Sequence, residues 1–159
     1  MCRIKSLILL LSSALLLSAC GYGFVLQGGG NLKAVSLDQS VNATQLLEAG
    51  LVMDAELERA LAMQGLTKGD EQAMPHLSCT ISGTSSRGIS SVDTEATERY
   101  RLTVTVRAEL RDASGKLIWQ GSFAGDGDYA QGGQEEDALE AACRSAAEQL
   151  ARQLSTLNI

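Results

Sequence analysis

The segment from Tyr100 to Arg111 constrains this chain more than any other. Tyr100, Leu102, Val104, Val106, Ala108 and Leu110 alternate with Arg101, Thr103, Thr105, Arg107, Glu109 and Arg111, so an extended backbone puts one set on each side of a sheet. A helix would scatter both sets around its circumference. At about 3.3 Å per residue the strand is roughly 36 Å long, with one apolar and one wet face. Asp112-Ala113-Ser114-Gly115 follows as a tight turn in which Gly115 is free to take positive φ. Beyond it Leu117, Trp119, Gly121 and Phe123 alternate with Lys116, Gln120 and Ser122, which places the single Trp on the apolar face. The spacing predicts antiparallel strands over about 97–112 and 116–131, with a third over about 77–88, where Leu77, Cys79 and Ile81 alternate with Ser78 and Thr80.

The apolar face needs a cover, and two helical stripes supply it. One helix is expected from Asn42 or Thr44 to about Gln64, with Leu46, Gly50, Met53, Leu57, Ala60 and Leu61 on one face and Gly65 as its left-handed C′ residue. Glu48, Glu56 and Arg59 fall on its other faces. The second runs from about Gln134 to Leu157. Glu135, Glu136 and Asp137 sit at its positive end, and Leu139, Cys143, Ala146, Leu150, Leu154 and Leu157 form its stripe. A first strand over 32–37 has no clear polar side, so burial on both faces is expected. With 159 residues, 45% of them hydrophobic, one domain is expected. Its class is α+β: a two-layer sandwich of a four-stranded, mostly antiparallel sheet against two helices, in the order β-α-β-β-β-α.

The first twenty residues read as an address. Arg3 and Lys5 precede a short apolar run from Leu7 to Leu17, shorter than the roughly 18 residues a membrane span needs. The run ends in Leu17-Ser18-Ala19-Cys20, a Leu-small-small-Cys pattern that resembles the lipobox of bacterial lipoproteins. The expectation is a signal peptide over 1–19 removed ahead of a diacylated Cys20, a tether over 20–31 and a domain over 32–159; the alternative is an ordinary secretory peptide with a chance cysteine. Acyl chains contribute about 0.8 kcal/mol per buried CH₂ and would hold the domain at a membrane surface. Gly21, rather than an aspartate, follows Cys20, which points to the outer membrane at its periplasmic face.

Without residues 1–19 the chain carries 11 basic and 19 acidic groups, a net of −8, which argues against a protein that coats nucleic acid. Cys79 and Cys143 then remain. Both are on apolar stripes, and they either form one disulfide or stay separate buried thiols, since spacing cannot show that their Cα atoms approach within about 7 Å. His76 is the only histidine, so no zinc site is expected. It reads as a solvated turn residue. No Gly-x-Ser-x-Gly, His-Glu-x-x-His or phosphate loop is present. Asp126 and Asp128 read as a solvated loop, Glu135 to Asp137 as a helix start, and neither as an acid/base pair. No cofactor is implied and no enzyme is expected.

Cys20-Gly21-Tyr22-Gly23-Phe24-Val25-Leu26 with Gly28, the element order, the strand Tyr100-Arg-Leu-Thr-Val-Thr-Val106 and the return Gly115-Lys-Leu-Ile-Trp119 resemble the lipopolysaccharide-assembly lipoprotein family, LptE, over nearly all of the mature chain. Gln27 departs from the family, which usually carries a basic residue there. The resemblance implies a lipoprotein that plugs and stabilises the outer membrane β-barrel LptD and touches lipopolysaccharide on its way to the outer leaflet. A phosphorylated lipid calls for cations, and Arg87, Arg99, Arg101 and Arg107 are the candidate contacts, with Arg111 on the same wet face. The resemblance implies that the 88–98 turn touches ligand. The plainer alternative is that these arginines solubilise the face and pair with Glu95, Glu98 and Glu109. Other readings are an accessory lipoprotein of another envelope machine, such as a cell-wall synthase activator, and a periplasmic hydrolase using His76 or the Asp126 and Asp128 pair.

Overall fold

The computed structural model describes residues 30–66, 74–89 and 99–159. In chain order these form β1 (Ser36–Leu37), β2 (Val41–Asn42), α1 (Ala49–Met63), β3 (His76–Ile89), β4 (Arg99–Arg111), β5 (Leu117–Ala130) and α2 (Glu135–Ser155). The α+β class and the order β-α-β-β-β-α are as expected. The sheet is five-stranded rather than four-stranded, with order β1-β3-β4-β5 and β2 alongside β3. It is partly parallel rather than mostly antiparallel. Of the strand expected over 32–37 only Ser36–Leu37 forms, a second short strand at Val41–Asn42 was not expected, and both run parallel to β3, because α1 carries the chain back across the sheet before β3 begins. The long strands behave as read: β3–β4 and β4–β5 are antiparallel, and Asp112 and Gly115, at φ 84°, close the tight turn between β4 and β5.

The start of α1 is a second correction. Asn42 and Thr44 do not cap the helix, which begins at Ala49. Asn42 Oδ1 instead accepts from the Thr44 N–H (2.9 Å) and hydroxyl (2.8 Å), and its amide donates to the Leu46 carbonyl (2.6 Å). These local bonds hold the backbone in a turn and postpone the helix. The other end is as read. Gly65 takes φ 71°, Leu66 N–H donates to Leu61 O (3.0 Å), and Gly65 N–H donates to Ala62 O (3.0 Å), closing a Schellman motif with Leu61 and Leu66 both buried.

The core lies between the sheet and the helices. Leu77, Cys79, Ile81, Leu102, Val104, Val106, Ala108 and Leu110 face Met53, Leu57, Leu139, Cys143, Leu150 and Leu154. Strand β5 meets α2 by a different device. Its core-facing positions include Gly125 and Gly127, where a Cβ would land on the backbone carbonyls of Ala142 and Ala138. Helix and strand therefore touch backbone to backbone, and only glycine permits the approach. Trp119 sits on the core side as expected but half-buried, against Phe123 with ring centroids 6.1 Å apart.

Glu56 breaks the expected amphipathic pattern of α1. It is 3% exposed. Its carboxylate accepts from Arg59 Nη1 at 2.8 and 3.1 Å and from Arg144 Nε at 3.2 Å. Arg144 also pairs with Glu140 on its own helix. A buried charge persists because two guanidiniums satisfy it, and the cluster ties α1 to α2. Among the described residues no helix is long and apolar enough to cross a membrane.

Candidate functional site

The helices cover one side of the sheet and leave the other open. On that open side the register places Arg87 of β3 opposite Arg101 of β4, which in turn stands opposite Asp128 of β5. The next row along is Ile89, Arg99 and Ala130, and the row before is Ser85, Thr103 and Asp126. Directly opposed residues have Cβ atoms roughly 4.5–5.5 Å apart. Three of the four predicted contact residues, Arg87, Arg99 and Arg101, therefore share one patch near the end of the sheet. The fourth stands apart. Arg107, opposite Thr80 and Ser122, is on the same face but about 20 Å along β4 from Arg101.

Arg87 reaches this face only because β3 carries a bulge. Leu77, Cys79 and Ile81 point into the core, and strict alternation would send every later odd-numbered residue there too. The register shifts between Ile81 and Gly83, around Ser82, so that Thr84 and Ser86 oppose the core residues Val104 and Leu102 while Ser85 and Arg87 turn outward.

Electrostatics divide the arginines. Arg101 is held by a bidentate pair with Asp128, Nε to Oδ1 at 2.8 Å and Nη2 to Oδ2 at 3.2 Å. The hydrogen bonds from Arg101, and then the charges of Arg101 and Arg99, hold the Asp128 carboxyl below the usual carboxylate range, while Asp128 raises Arg101. Asp128 offsets the repulsion that two opposed guanidiniums would otherwise carry. Arg87, Arg99 and Arg107 make no ion pair among the described residues. Arg111 pairs with Glu109 at 2.7 Å. Hydroxyls line the rows between, with Thr103 donating to Asp126 at 2.6 Å. Asp126 and Asp128 thus lie in a strand and not in the loop expected, because the register pairs them with Thr103 and Arg101.

The patch sits far from the first described residue. Gly30 N–H donates to Ser155 O at the C-terminal end of α2, and Asn31 N–H to Leu157 O. The arginine rows lie by Tyr129 and Ala130, next to the start of α2. Twenty-one helical residues separate the two ends, about 30 Å at 1.5 Å per residue.

Cys20 and residues 90–98 lie outside the described residues, so the lipidation and most of the predicted contact loop do too. Cys79 and Cys143 are both buried and both free thiols. Burial pushes each thiol up to about 12, with the charges of Asp54 and Asp38 adding to Cys79 and that of Glu56 to Cys143. Neither is a reactive thiolate. His76 opens β3 and lies 3.6 Å from Asp38, with no nucleophile in the contact. Three roles escaped the sequence reading: Asp128 as the partner of Arg101, Ser82 as the bulge, and Glu56 as a buried carboxylate. The Gly125-Asp126-Gly127-Asp128 run was the available signal for the first, since glycines at alternate strand positions mark a close backbone approach and turn the acids to the other face.

The helix-backed sheet with one cation-bearing face is a fold found among solved bacterial lipoproteins. Solved structures of the same fold include a minor lipoprotein from Acinetobacter baumannii (16% identity, TM-score 0.55, 79% of this chain and 92% of that one). A putative lipoprotein from Caulobacter crescentus matches at 21% identity and TM-score 0.52 over 75% and 87% of the two chains. PelC of Paraburkholderia phytofirmans, solved as a dodecamer, matches at 18% and 0.56 over 80% and 92%. No curated protein matches the chain. The family model for lipopolysaccharide assembly, LptE, matches residues 32–154, and the chain belongs to that family.

Proposed function

We propose that this protein is a non-catalytic outer membrane lipoprotein, held at the periplasmic face through acylated Cys20, that plugs and stabilises an LptD-type β-barrel and contacts lipopolysaccharide with its open sheet face. The carrying observation is the row pair Arg87–Arg101 and Arg99 on one bare face, with Arg87 and Arg99 making no ion pair among the described residues. Guanidiniums match phosphate oxygens bidentately, and the hydroxyl of Ser85 beside them suits sugar and phosphate oxygens. A negative chain with a local cationic patch binds a phosphorylated lipid there and repels bulk anions elsewhere. The roughly 30 Å between Gly30 and the patch lets a domain anchored at one end reach into a barrel with the other.

The test is lipopolysaccharide binding by the full chain and by the pair Arg87→Gln/Arg99→Gln, alongside barrel levels in cells. The double variant should bind about tenfold or more weakly, with unchanged thermal stability. Depleting the protein should deplete mature barrel. Unchanged affinity in the double variant would remove the open face from the binding role. Undiminished barrel on depletion would remove the plugging role.

A further inference from the structure

Helix α1 and the turn before it expose large apolar side chains. The outward side of α2 bears Asp137, Glu140, Arg144, Glu148 and Arg152, as a solvated helix should. The outward side of α1 bears Leu51, Ala55, Ala62 and Met63 together with Glu58 and Arg59. Leu51 is 69% exposed, Leu47 in the turn before it 92%, and Val41 on the neighbouring edge strand 60%. Leu47 and Leu51 are one helical turn apart. Scattered exposed leucines are ordinary, but these three cluster at one corner and continue into a groove.

That groove, of about 550 Å³, runs between the starts of the two helices. Leu46, Leu47 and Leu139 supply its apolar walls, and Glu48, Glu135 and Glu136 its charged ones, with Gly133 and Gln134 completing it. Among the described residues no lysine or arginine lines it. Neither Glu48 nor Gln134 caps its helix with a side-chain hydrogen bond, and Glu48, Glu135 and Glu136 are all exposed. The groove is open to aliphatic side chains, and three carboxylates around it select what flanks them.

We propose that this corner docks a cationic amphipathic segment of a protein partner, with aliphatic side chains seated against Leu46, Leu47, Leu51 and Leu139 and lysines or arginines against Glu48, Glu135 and Glu136. Charge complementarity decides among occupants: a second copy of this chain would bring the same three carboxylates, and an anionic lipid surface would be repelled by them. The inference is independent of the arginine face, which lies on the opposite side of the sheet.

The experiment is a fluorescence-anisotropy titration of the purified full chain with a short labelled Leu–Lys amphipathic peptide and its Leu–Glu counterpart. The expected result is saturable one-to-one binding of the Leu–Lys peptide alone. Leu47→Ser/Leu51→Ser should weaken it about tenfold or more, because two exposed leucines lose their apolar contact, with the melting curve unchanged. Glu135→Gln/Glu136→Gln should weaken it and flatten its salt dependence. Binding indifferent to Leu47→Ser/Leu51→Ser would mean general attraction to an acidic protein and would overturn the proposal. So would equal binding of the Leu–Glu peptide. Sedimentation that shows self-association abolished by Leu47→Ser/Leu51→Ser would assign the corner to a second copy instead. Flotation with phosphatidylglycerol vesicles that the same variant abolishes would assign it to lipid. Loss of lipopolysaccharide binding in Arg87→Gln/Arg99→Gln should leave the peptide affinity where it was.

Discussion

Arg87 stands directly opposite Arg101 on the open face, and Asp128 stands opposite Arg101 on its other side. Two guanidiniums in one row repel, so Asp128 is the counter-charge that lets the row exist. Because the fold holds the Asp128 carboxyl below its usual range, chiefly through the Arg101 hydrogen bonds, the pairing stabilises the native state above the ordinary carboxylate pKa. That contribution is lost as pH falls through the depressed value. Carbon-13 carboxyl titration by NMR should find Asp128 below the ordinary value of about 3.9 and should find it moved upward in Arg101→Gln. An unchanged midpoint in that variant would show that Arg101 is not the cause.

Gly125 and Gly127 admit no side chain, because the Ala142 and Ala138 carbonyls occupy the place of a Cβ and backbone cannot swing aside. Gly125→Ala should therefore destabilise by about 1–3 kcal/mol or more, outweighing the ~0.4–1 kcal/mol that a glycine-to-alanine change gains from the unfolded chain. Gly83→Ala is the contrast, since nothing lies within 4 Å of a Cβ built there. It should be neutral or slightly stabilising. Urea melts of the two variants compare them directly, and equal midpoints would contradict the close approach of α2 to β5.

Glu56 lies between Arg59 and Arg144. Removing either arginine leaves the other in place, whereas removing both strands a carboxylate that is 3% exposed. Arg59→Ala and Arg144→Ala should each cost about 1 kcal/mol, and the double variant about 3–5 kcal/mol. A double-mutant cycle in chemical denaturation reads the excess. Additive single effects would mean that water already serves the carboxylate.

The sequence discloses the middle of this fold well and its margins poorly. Alternation from Tyr100 to Arg111 requires nothing beyond a strand with two unlike faces, and β4 buries Leu102, Val104, Val106, Ala108 and Leu110 as the pattern demands. Gly65 and Gly115 were legible because positive φ is a local demand that glycine meets. The parallel edge was not legible, since two-residue strands carry no periodicity. Glu56 was not either: its burial depends on Arg144, 88 residues away, and no local pattern encodes that. The arginine patch was half legible. Arg99 and Arg101 follow from β4 alone, but counting from Leu77 would have buried Arg87, and only the shift at Ser82 turns it out.

Cys79 and Cys143 give the last test, because the two thiols belong to different layers of the core and are both free. Burial raises each to about 12, so at pH 8 the thiolate fraction is about one in ten thousand and alkylation also needs access that the core denies. Native protein treated with iodoacetamide at pH 8 should therefore stay unmodified at both positions. The same protein unfolded in guanidinium without reductant should take up label at both. Labelling of the native state would show that α2 opens away from β3 faster than the packing of Cys143 allows. Label taken up only after reduction would mean that oxidation had joined the two, drawing α2 and β3 together at Cys143 and Cys79.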